Sequence, residues 1–250
     1  MSSSTRQEFE TPFQDVVAKY AMGFAQPVFF GDSPAQAYSA NLNNGTASLL
    51  RIGDRYLAVT CAHVVDGFRS ARRRRAATIF QLGRQSLDPE QFVISESSVL
   101  DLAVLDVSTL VRDGGDFEPG NFSVASQWPP GGLVETDILA FAGFPGVWRD
   151  QLALGYLRFY AVTVGTADVA SLGESHLQTR LDLSESISVI RDGLVLGDLG
   201  GLSGGPVMVW RTGPVLHAEL VGVAVEYQES LDLLYVRRAT CLDRNGSLVG

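Results

Sequence analysis

Cysteine is scarce in this chain of 250 residues, which contains only Cys61 and Cys241. Two cysteines do not form the disulfide framework on which small secreted domains depend, and we expect Cys61 to be a small buried residue rather than a reactive thiol. Histidine is also scarce, with three residues in the sequence. These scattered side chains show no ligand spacing for a metal, and the glycine pattern lacks the lysine of a phosphate-binding loop. The sequence therefore predicts no metal site and no cofactor.

Long apolar runs are absent as well. No run approaches the roughly 18 residues of a membrane-spanning helix, and the polar residues 1–8 are not followed by the continuous apolar stretch of a secretory signal. We therefore expect a cytoplasmic protein without membrane contact. Lysine and arginine total 19 against 28 aspartates and glutamates, a formal net charge of −9, which disfavours binding to nucleic acid or anionic lipid.

The most informative segment that is present is Gly-Leu-Ser-Gly-Gly-Pro at residues 201–206. Because glycine has no Cβ, this backbone can adopt left-handed angles and bring N–H groups close to a reacting carbonyl, as an acyl-transfer serine requires. Ser203 is therefore a candidate nucleophile. A serine hydroxyl is a weak nucleophile alone, so the hypothesis requires a base and a group that orients the base.

His63 is the best candidate for the base. It follows an apolar run at residues 56–59 and is placed at the mouth of a predicted strand, where a side chain is held firmly and still faces a cleft. His176 and His217 lie in more polar surroundings and are interpreted as loop or strand-surface residues.

Asp101 is the best candidate for the orienting carboxylate, because it opens a short apolar strand at residues 101–107. The rival Asp106 lies an odd number of residues further on and points to the opposite face of an extended strand. Asp66, three residues after His63, is interpreted as a local turn or cap residue.

At these positions the chain resembles the trypsin-like (chymotrypsin-fold) serine peptidases, in particular their disulfide-free bacterial members. Residues 59–63 (Val-Thr-Cys-Ala-His) resemble the family's histidine motif, residues 101–105 (Asp-Leu-Ala-Val-Leu) its aspartate motif and residues 201–206 its serine motif. Residues 143–146 (Gly-Phe-Pro-Gly) are similar to a recurrent turn near the start of the second barrel. The resemblance covers roughly residues 46–235.

The resemblance implies a serine endopeptidase that acts on a protein or peptide substrate through an acyl-enzyme. Ser203 would be the nucleophile, His63 the general acid and base, and Asp101 the residue that fixes the tautomer of His63. The backbone N–H groups of Gly201 and Ser203 would form the oxyanion hole. An esterase is a smaller alternative, because the same acyl-enzyme chemistry opens esters.

Leu202 departs from the family pattern. Many members have an aspartate directly before the serine, which pairs with a newly cut N-terminus, and a leucine cannot receive an ammonium group. Activation by that ion pair is excluded, so the serine loop must be ordered by packing, by a regulatory protein partner or by substrate. The alternative function is a catalytically silent protease-fold module that binds an extended peptide.

The family's substrate pocket is walled by the segment before the serine loop and by a later strand, here residues 197–200 and 223–227. Asp198 and Glu226 are the acidic candidates in these segments. If either carboxylate points inward, the pocket favours a basic side chain. Both also fit turn or strand-surface roles.

The chain is predicted to be all-β, with two six-stranded antiparallel β-barrels in a chymotrypsin-like double barrel and a short N-terminal helix. We divide it into an N-terminal extension with the helix (1–25), the first barrel (26–110), a turn-rich inter-barrel linker (111–132) and the second barrel (133–250). The predicted strands are 27–30, 46–52, 55–60, 77–82, 91–95, 102–107, 136–143, 154–165, 176–183, 206–211, 216–227 and 233–240.

Five arginines lie within seven residues just after the histidine motif, at Arg69 and at 72–75. We interpret this run as an exposed, mobile loop between strands. The alternatives are a docking site for an acidic partner and a self-cleavage site.

Overall fold

The computed structural model describes residues 16, 19–33, 42–125, 127–180, 187–188, 199–211 and 217–250. Their first sheet has the strand order β5-β4-β1-β2-β3-β7-β6, and β8 joins β2 as a parallel neighbour. Its strands are β1 (Ala25–Gly31), β2 (Leu42–Ile52), β3 (Arg55–Thr60), β4 (Ile79–Leu82), β5 (Gln85–Ser86), β6 (Val93–Ser97), β7 (Leu102–Asp106) and β8 (Ser123–Val124). Two α-helices accompany it, α1 (Ala62–Arg74) and α2 (Ser108–Arg112).

The second half of the chain forms a hairpin and a second sheet. The strands in chain order are β9 (Ile138–Gly143), β10 (Arg149–Ala153), β11 (Tyr156–Phe159), β12 (Val162–Leu172), β13 (His176–Arg180), β14 (Ile187–Ser188), β15 (Pro206–Arg211), β16 (His217–Gln228) and β17 (Leu233–Arg238). β10 and β11 pair only with each other among the described strands, and the others follow the order β13-β17-β16-β15-β9-β12-β14. Because β12 also pairs with β13, six of these strands close into a ring. The predicted double-barrel architecture is confirmed, with β5, β8 and β14 as short additions.

Alternate residues on the central strands face different cores. Leu139 and Phe141 of β9 point into the second barrel, whereas Ala140 and Ala142 belong to the cluster between the two barrels. The same alternation holds on β3, where Ala58 faces the first-barrel core and its neighbours on either side belong to the cluster between the barrels. Both faces of these strands are therefore buried, which explains why their sequences are nearly continuous apolar runs.

One predicted strand is wrong at its start. The stretch 154–165 was expected to form a single strand, but residues 149–159 fold back on themselves as the β10–β11 hairpin and the barrel strand begins only at Val162. Gly155, with a φ of 82°, lies in the hairpin turn, and only glycine adopts that left-handed backbone easily. The barrel strand β12 then runs on to Leu172, beyond the predicted end.

The expected arginine loop is also wrong, because residues 62–74 form helix α1. Val64, Val65 and Phe68 are buried on one face of α1, so a helical spacing of apolar residues was present in the sequence. Arg69 binds the carboxylates of Asp66 on the helix, Glu90 in a 3-10 turn and Glu96 on β6, and Arg72 binds Asp88 at 2.8 Å. Most of the arginine run therefore lies on the outer face of a helix, where acidic side chains neutralise part of its charge.

The N-terminal and linker segments both pack on the barrels. Of the predicted helix that begins near Thr11, residues 19–22 are described and helical, and Tyr20 contacts the rings of Phe24 and Trp210. In the predicted linker 111–132, the buried Trp128 donates its indole N–H to the carbonyl of Leu242 at 2.7 Å. None of the helices formed by the described residues has the length and hydropathy that crossing a bilayer requires.

Candidate active site

His63 is positioned by the junction between β3 and α1. It is the second residue of the helix, and the N-cap residue Cys61 makes no side-chain capping hydrogen bond. The Oδ1 atom of Asp101 accepts the backbone N–H of His63 at 3.0 Å, and Oδ2 lies 2.7 Å from the ring Nδ1. One carboxylate therefore satisfies an otherwise unpaired helix N–H and fixes the imidazole. Because Nδ1 is hydrogen-bonded to Asp101, Nε2 is the ring nitrogen that can exchange a proton with another group.

Asp101 reaches this position from an unusual backbone conformation. Its φ is 51°, in the left-handed region that aspartate and asparagine tolerate better than most residues, directly before β7. The rival carboxylates are engaged elsewhere: Asp106 lies 3.5 Å from Arg55, and Asp66 binds Arg69 at 2.9 Å. The structure thus joins His63 to Asp101 and to neither alternative.

The two groups shift each other's pKa in opposite directions. The hydrogen bond to Asp101 raises the pKa of His63, an effect that outweighs partial burial of the ring and is reinforced by the negative charges of Asp101, Glu226 and Asp66. Burial alone would raise the pKa of Asp101, but hydrogen bonds from the His63 ring and backbone lower it overall. The pair therefore favours an ionised carboxylate beside an imidazole that binds a proton readily.

The serine loop needs glycine at two positions. Gly201 has a φ of 105° and Gly204 a φ of 98°, both in the left-handed region. A Cβ added to Gly204 would lie 1.8 Å from the carbonyl oxygen of Thr46, so the loop lies directly against strand β2 of the first barrel. The sequence interpretation of these glycines as a backbone requirement is consistent with this geometry.

A row of polar side chains on β2 holds the serine loop, and the sequence analysis missed it. Thr46 donates its hydroxyl to the carbonyl of Gly201 at 2.7 Å and its N–H to the carbonyl of Ser203 at 2.9 Å. Ser48 donates to the carbonyl of Gly204 at 2.8 Å, and Asn44 donates to the carbonyl of Phe144 in the neighbouring turn at 2.9 Å. These residues alternate along the strand and therefore share one face. Polar residues at every second position of a buried strand were the available signal.

Substitution of Thr46 by valine tests this row, with Thr179→Val as its matched control. Each threonine is buried and donates a 2.7 Å hydrogen bond to a backbone carbonyl, but Thr179 lies in the second barrel and bonds to Asp168. Both variants are expected to lose about 1–3 kcal/mol of unfolding free energy, measured by urea denaturation. Only Thr46→Val is expected also to lower kcat in the peptide cleavage that the sequence resemblance implies. Equal kcat values for the two variants would contradict the proposed positioning role of Thr46.

Leu202 orders the loop by packing. Its side chain is 2% exposed and belongs to the core cluster of the second barrel, where it lies against Gly143. A Cβ on Gly143 would come within 2.6 Å of the Leu202 side chain. An apolar contact thus occupies the position where an aspartate ion pair was considered, which agrees with packing as one of the three expected ordering mechanisms.

Two backbone N–H groups of the loop have no acceptor within the described part of the chain, those of Gly201 and Ser203. The carbonyl of Gly200 accepts from Gly146 at 2.7 Å, and a trans peptide directs the following N–H, that of Gly201, away from that contact. The Ser203 hydroxyl donates to the carbonyl of Val225 at 2.8 Å rather than to His63. The loop therefore offers two free donors beside a hydroxyl that is held by a strand carbonyl.

His63, Asp101 and Ser203 all line one cleft of about 450 Å³. Its other described walls include the buried Leu199 and Leu234, with Glu226 exposed at the mouth. Asp198, the second predicted pocket residue, lies outside the described residues. His176 and His217 lie on β13 and β16 and do not line this cleft.

Cys61 lies beneath this cleft and was expected to be only a small buried residue. It is 0% exposed, and burial raises the pKa of its thiol well above the usual value. Its Sγ, a ring nitrogen of His63 and a carboxylate oxygen of Asp101 all lie within 4.8 Å of one another. The structure therefore brings together three side chains that can ligate a metal, where the sequence showed no ligand spacing.

Comparison with known proteins gives limited further information. No family model and no curated protein matches the sequence. Among solved structures, the chain is similar to the thermostable serine protease AL20 from an extremophilic microorganism, at 12% identity and a TM-score of 0.44 over 87% of this chain and 92% of that chain. It is also similar to human heparin binding protein, at 15% identity and a TM-score of 0.43 over 87% of this chain and 86% of that chain. The strand pairing, with its closed second barrel, matches a chymotrypsin-like double-barrel fold.

Proposed function

We propose that this protein is a serine endopeptidase in which Ser203 is the nucleophile, His63 the general base and Asp101 its orienting partner. The observation that carries the proposal is the convergence of these three side chains on one cleft, beside two backbone N–H groups without an acceptor in the described residues. Acyl transfer requires this combination of nucleophile, base and oxyanion donors.

Catalysis begins with a rotation of the Ser203 hydroxyl. The hydroxyl leaves the carbonyl of Val225 and donates instead to Nε2 of His63, which takes its proton as the oxygen attacks the scissile carbonyl. Asp101 keeps the Nδ1 proton in place and stabilises the imidazolium that forms. The N–H groups of Gly201 and Ser203 bind the oxyanion. His63 then protonates the leaving amine, and water releases the acyl group by the same steps in reverse order.

The substrate backbone has a strand edge available to it. β15 pairs with β16 as far as Val223, and Ala224 still exchanges hydrogen bonds with Gly204 and Gly205. Beyond Ala224, the described residues of β16 pair only with β17 on the other side, and the edge at residues 225–227 borders the cleft. An extended peptide that adds to this edge would hydrogen-bond the carbonyl of Val225, the group that holds Ser203 in its absence. Substrate binding would thereby release the nucleophile.

The cleft supports a preference for a basic side chain at the cut. Leu199 and Leu234 offer an apolar wall for an aliphatic stem, and Glu226 and Glu229 place two carboxylates at the mouth. Arginine matches this arrangement because its stem is apolar and its end is a cation.

Peptide cleavage tests both the proposed peptidase activity and the proposed preference for a basic side chain. Purified protein is incubated with four otherwise identical peptides that carry arginine, leucine, alanine or glutamate before one bond, and mass spectrometry identifies the products. Cleavage that disappears in Ser203→Ala supports the peptidase, and fastest cleavage of the arginine peptide supports the basic preference. Equal or faster cleavage of the leucine peptide would remove the preference alone, and four intact peptides would count against the peptidase.

A pH profile tests the role of His63. Only neutral His63 can accept the serine proton, and its pKa is raised by Asp101, so the acid limb of kcat/KM is expected above the ordinary histidine value of about 6.5. Because the Glu226 charge contributes to this rise, Glu226→Gln should move the limb to lower pH, whereas Glu229→Gln serves as the control in the same cleft. A wild-type limb below the ordinary value would contradict the assignment of His63 as the base.

A peptide-binding module without turnover is the second candidate function. The bond from Ser203 to Val225 favours it, because this bond withholds the hydroxyl from His63. Under this alternative, Ser203→Ala would bind an extended peptide as wild type does, and neither protein would cleave it.

A further inference from the structure

Cys61, buried beside His63 and Asp101, has no role in the proposed mechanism. Its thiol faces the carbonyl of Ala224 at 3.5 Å, and it shares with His63 and Asp101 the cluster in which one ligand atom of each lies within 4.8 Å of the others. Thiolate, imidazole and carboxylate are the donors that zinc prefers. Sequence spacing does not reveal the set, because Asp101 joins it only through the fold.

We propose that Cys61, His63 and Asp101 form an inhibitory binding site for Zn²⁺. Three protein ligands and one water complete a tetrahedral zinc centre. Zinc bonds of about 2.0–2.3 Å place tetrahedral ligand atoms roughly 3.4–3.6 Å apart. Nδ1 of His63 and the carboxylate oxygen of Asp101, now 2.7 Å apart, must therefore separate by about 0.7 Å, whereas a pair near the 4.8 Å limit must approach by about 1 Å. The His63 side chain is 53% exposed, which gives the metal and its water a route from the cleft.

Zinc binding would change the tautomer of His63. Because the ionised carboxylate of Asp101 can only accept a hydrogen bond, Nδ1 of His63 must carry the proton of their contact in the free protein. The metal takes the Nδ1 lone pair, the imidazole remains neutral with its proton on Nε2, and the Cys61 thiol releases one proton to solvent. An Nε2 that already carries a proton cannot accept one from Ser203. Inhibition by this route rests on the proposed peptidase function, whereas metal binding itself does not.

Cobalt substitution tests the site without any need for activity. Co²⁺ is added to the Ser203→Ala protein, and a thiolate-to-cobalt absorption band with one-to-one stoichiometry is expected. The band should disappear in Ser203→Ala/Cys61→Ala and Ser203→Ala/Cys61→Ser, and persist in Ser203→Ala/Cys241→Ala, which removes the other buried cysteine. Unchanged circular dichroism verifies the fold of each variant. No band, or a band that persists without Cys61, would overturn the site.

Inhibition of peptide cleavage by zinc is the second test of the site. The Zn²⁺ concentration for half-inhibition is expected to be at least about tenfold higher for Cys61→Ala than for wild type or Cys241→Ala, with full recovery on chelation. Equal sensitivity of Cys61→Ala would show that zinc inhibits elsewhere. If wild type cleaves no peptide, the proposed function fails, and the cobalt measurement still decides the metal site.

Discussion

Substitution of Ser203 by alanine is expected to lower kcat for peptide hydrolysis by about 10⁶, and His63→Ala by a similar factor. In the proposed mechanism the two residues act as a unit, because the hydroxyl attacks only while the imidazole takes its proton. The double variant should therefore be no slower than either single variant. Initial rates with one fluorogenic peptide at high enzyme concentration measure all three.

Ser86→Ala serves as the control, since Ser86 is exposed on β5, away from the cleft. It should retain wild-type kcat. The Ser203 hydroxyl makes one hydrogen bond in the free protein, so Ser203→Ala should lose only about 1 kcal/mol of unfolding free energy. A Ser203→Ala protein with substantial activity would mean that another residue is the nucleophile.

The second large effect is expected for Asp101→Asn, with a loss of about 10⁴ in kcat. Asparagine tolerates the left-handed φ of 51° and keeps an oxygen for the backbone N–H of His63, so the fold is expected to persist. Its amide nitrogen cannot accept the Nδ1 proton. The imidazole is therefore held in the tautomer whose Nε2 is already protonated.

Asp106→Asn is the matched control for that substitution, because Asp106 lies at the other end of β7 and pairs with Arg55. Its kcat should remain within a few fold of wild type. A comparable loss in the two variants would indicate that the rate depends on the strand's integrity rather than on the orientation of His63.

The central strands were largely predictable because both of their faces are buried. Continuous apolar runs such as residues 102–105 and 138–142 then mark the sheet without ambiguity. The placement of His63, Asp101 and Ser203 around one cleft was predictable for a different reason, since short motifs carry the local chemistry and the resemblance supplied their order. The structure adds the 2.7 Å contact that selects Asp101 over Asp106.

Helix α1 and the polar row of β2 were not predicted, and the reasons are physical. The arginine run suggested a solvated loop, whereas the helix is stabilised by ion pairs to segments distant in sequence, such as Arg69 to Glu96 at 2.6 Å. Thr46 and Ser48 bond to carbonyls more than 150 residues further along the chain. These hydrogen-bond partners depend on how one barrel packs on the other, and a local sequence pattern cannot predict that packing.

Leu202 now has a structural account. The sequence showed only that an aspartate ion pair was missing before Ser203, and left packing, a partner or substrate as the means of ordering the loop. The buried leucine anchors the loop from the second barrel, and Thr46 holds it from the first. These contacts support a loop that is formed without proteolytic activation. Because the Ser203 hydroxyl is hydrogen-bonded to Val225, it must still turn towards His63, and in our proposal substrate binding causes this rotation.

Labelling by a fluorophosphonate probe tests the central claim, that His63 activates Ser203, most directly. Wild-type protein is incubated with the probe, digested, and the modified residue is identified by tandem mass spectrometry. The account predicts one label per chain on Ser203, none at that position in Ser203→Ala, and far slower labelling in His63→Ala. An unlabelled wild-type protein, or labelling of Ser203 at the same rate without His63, would contradict it.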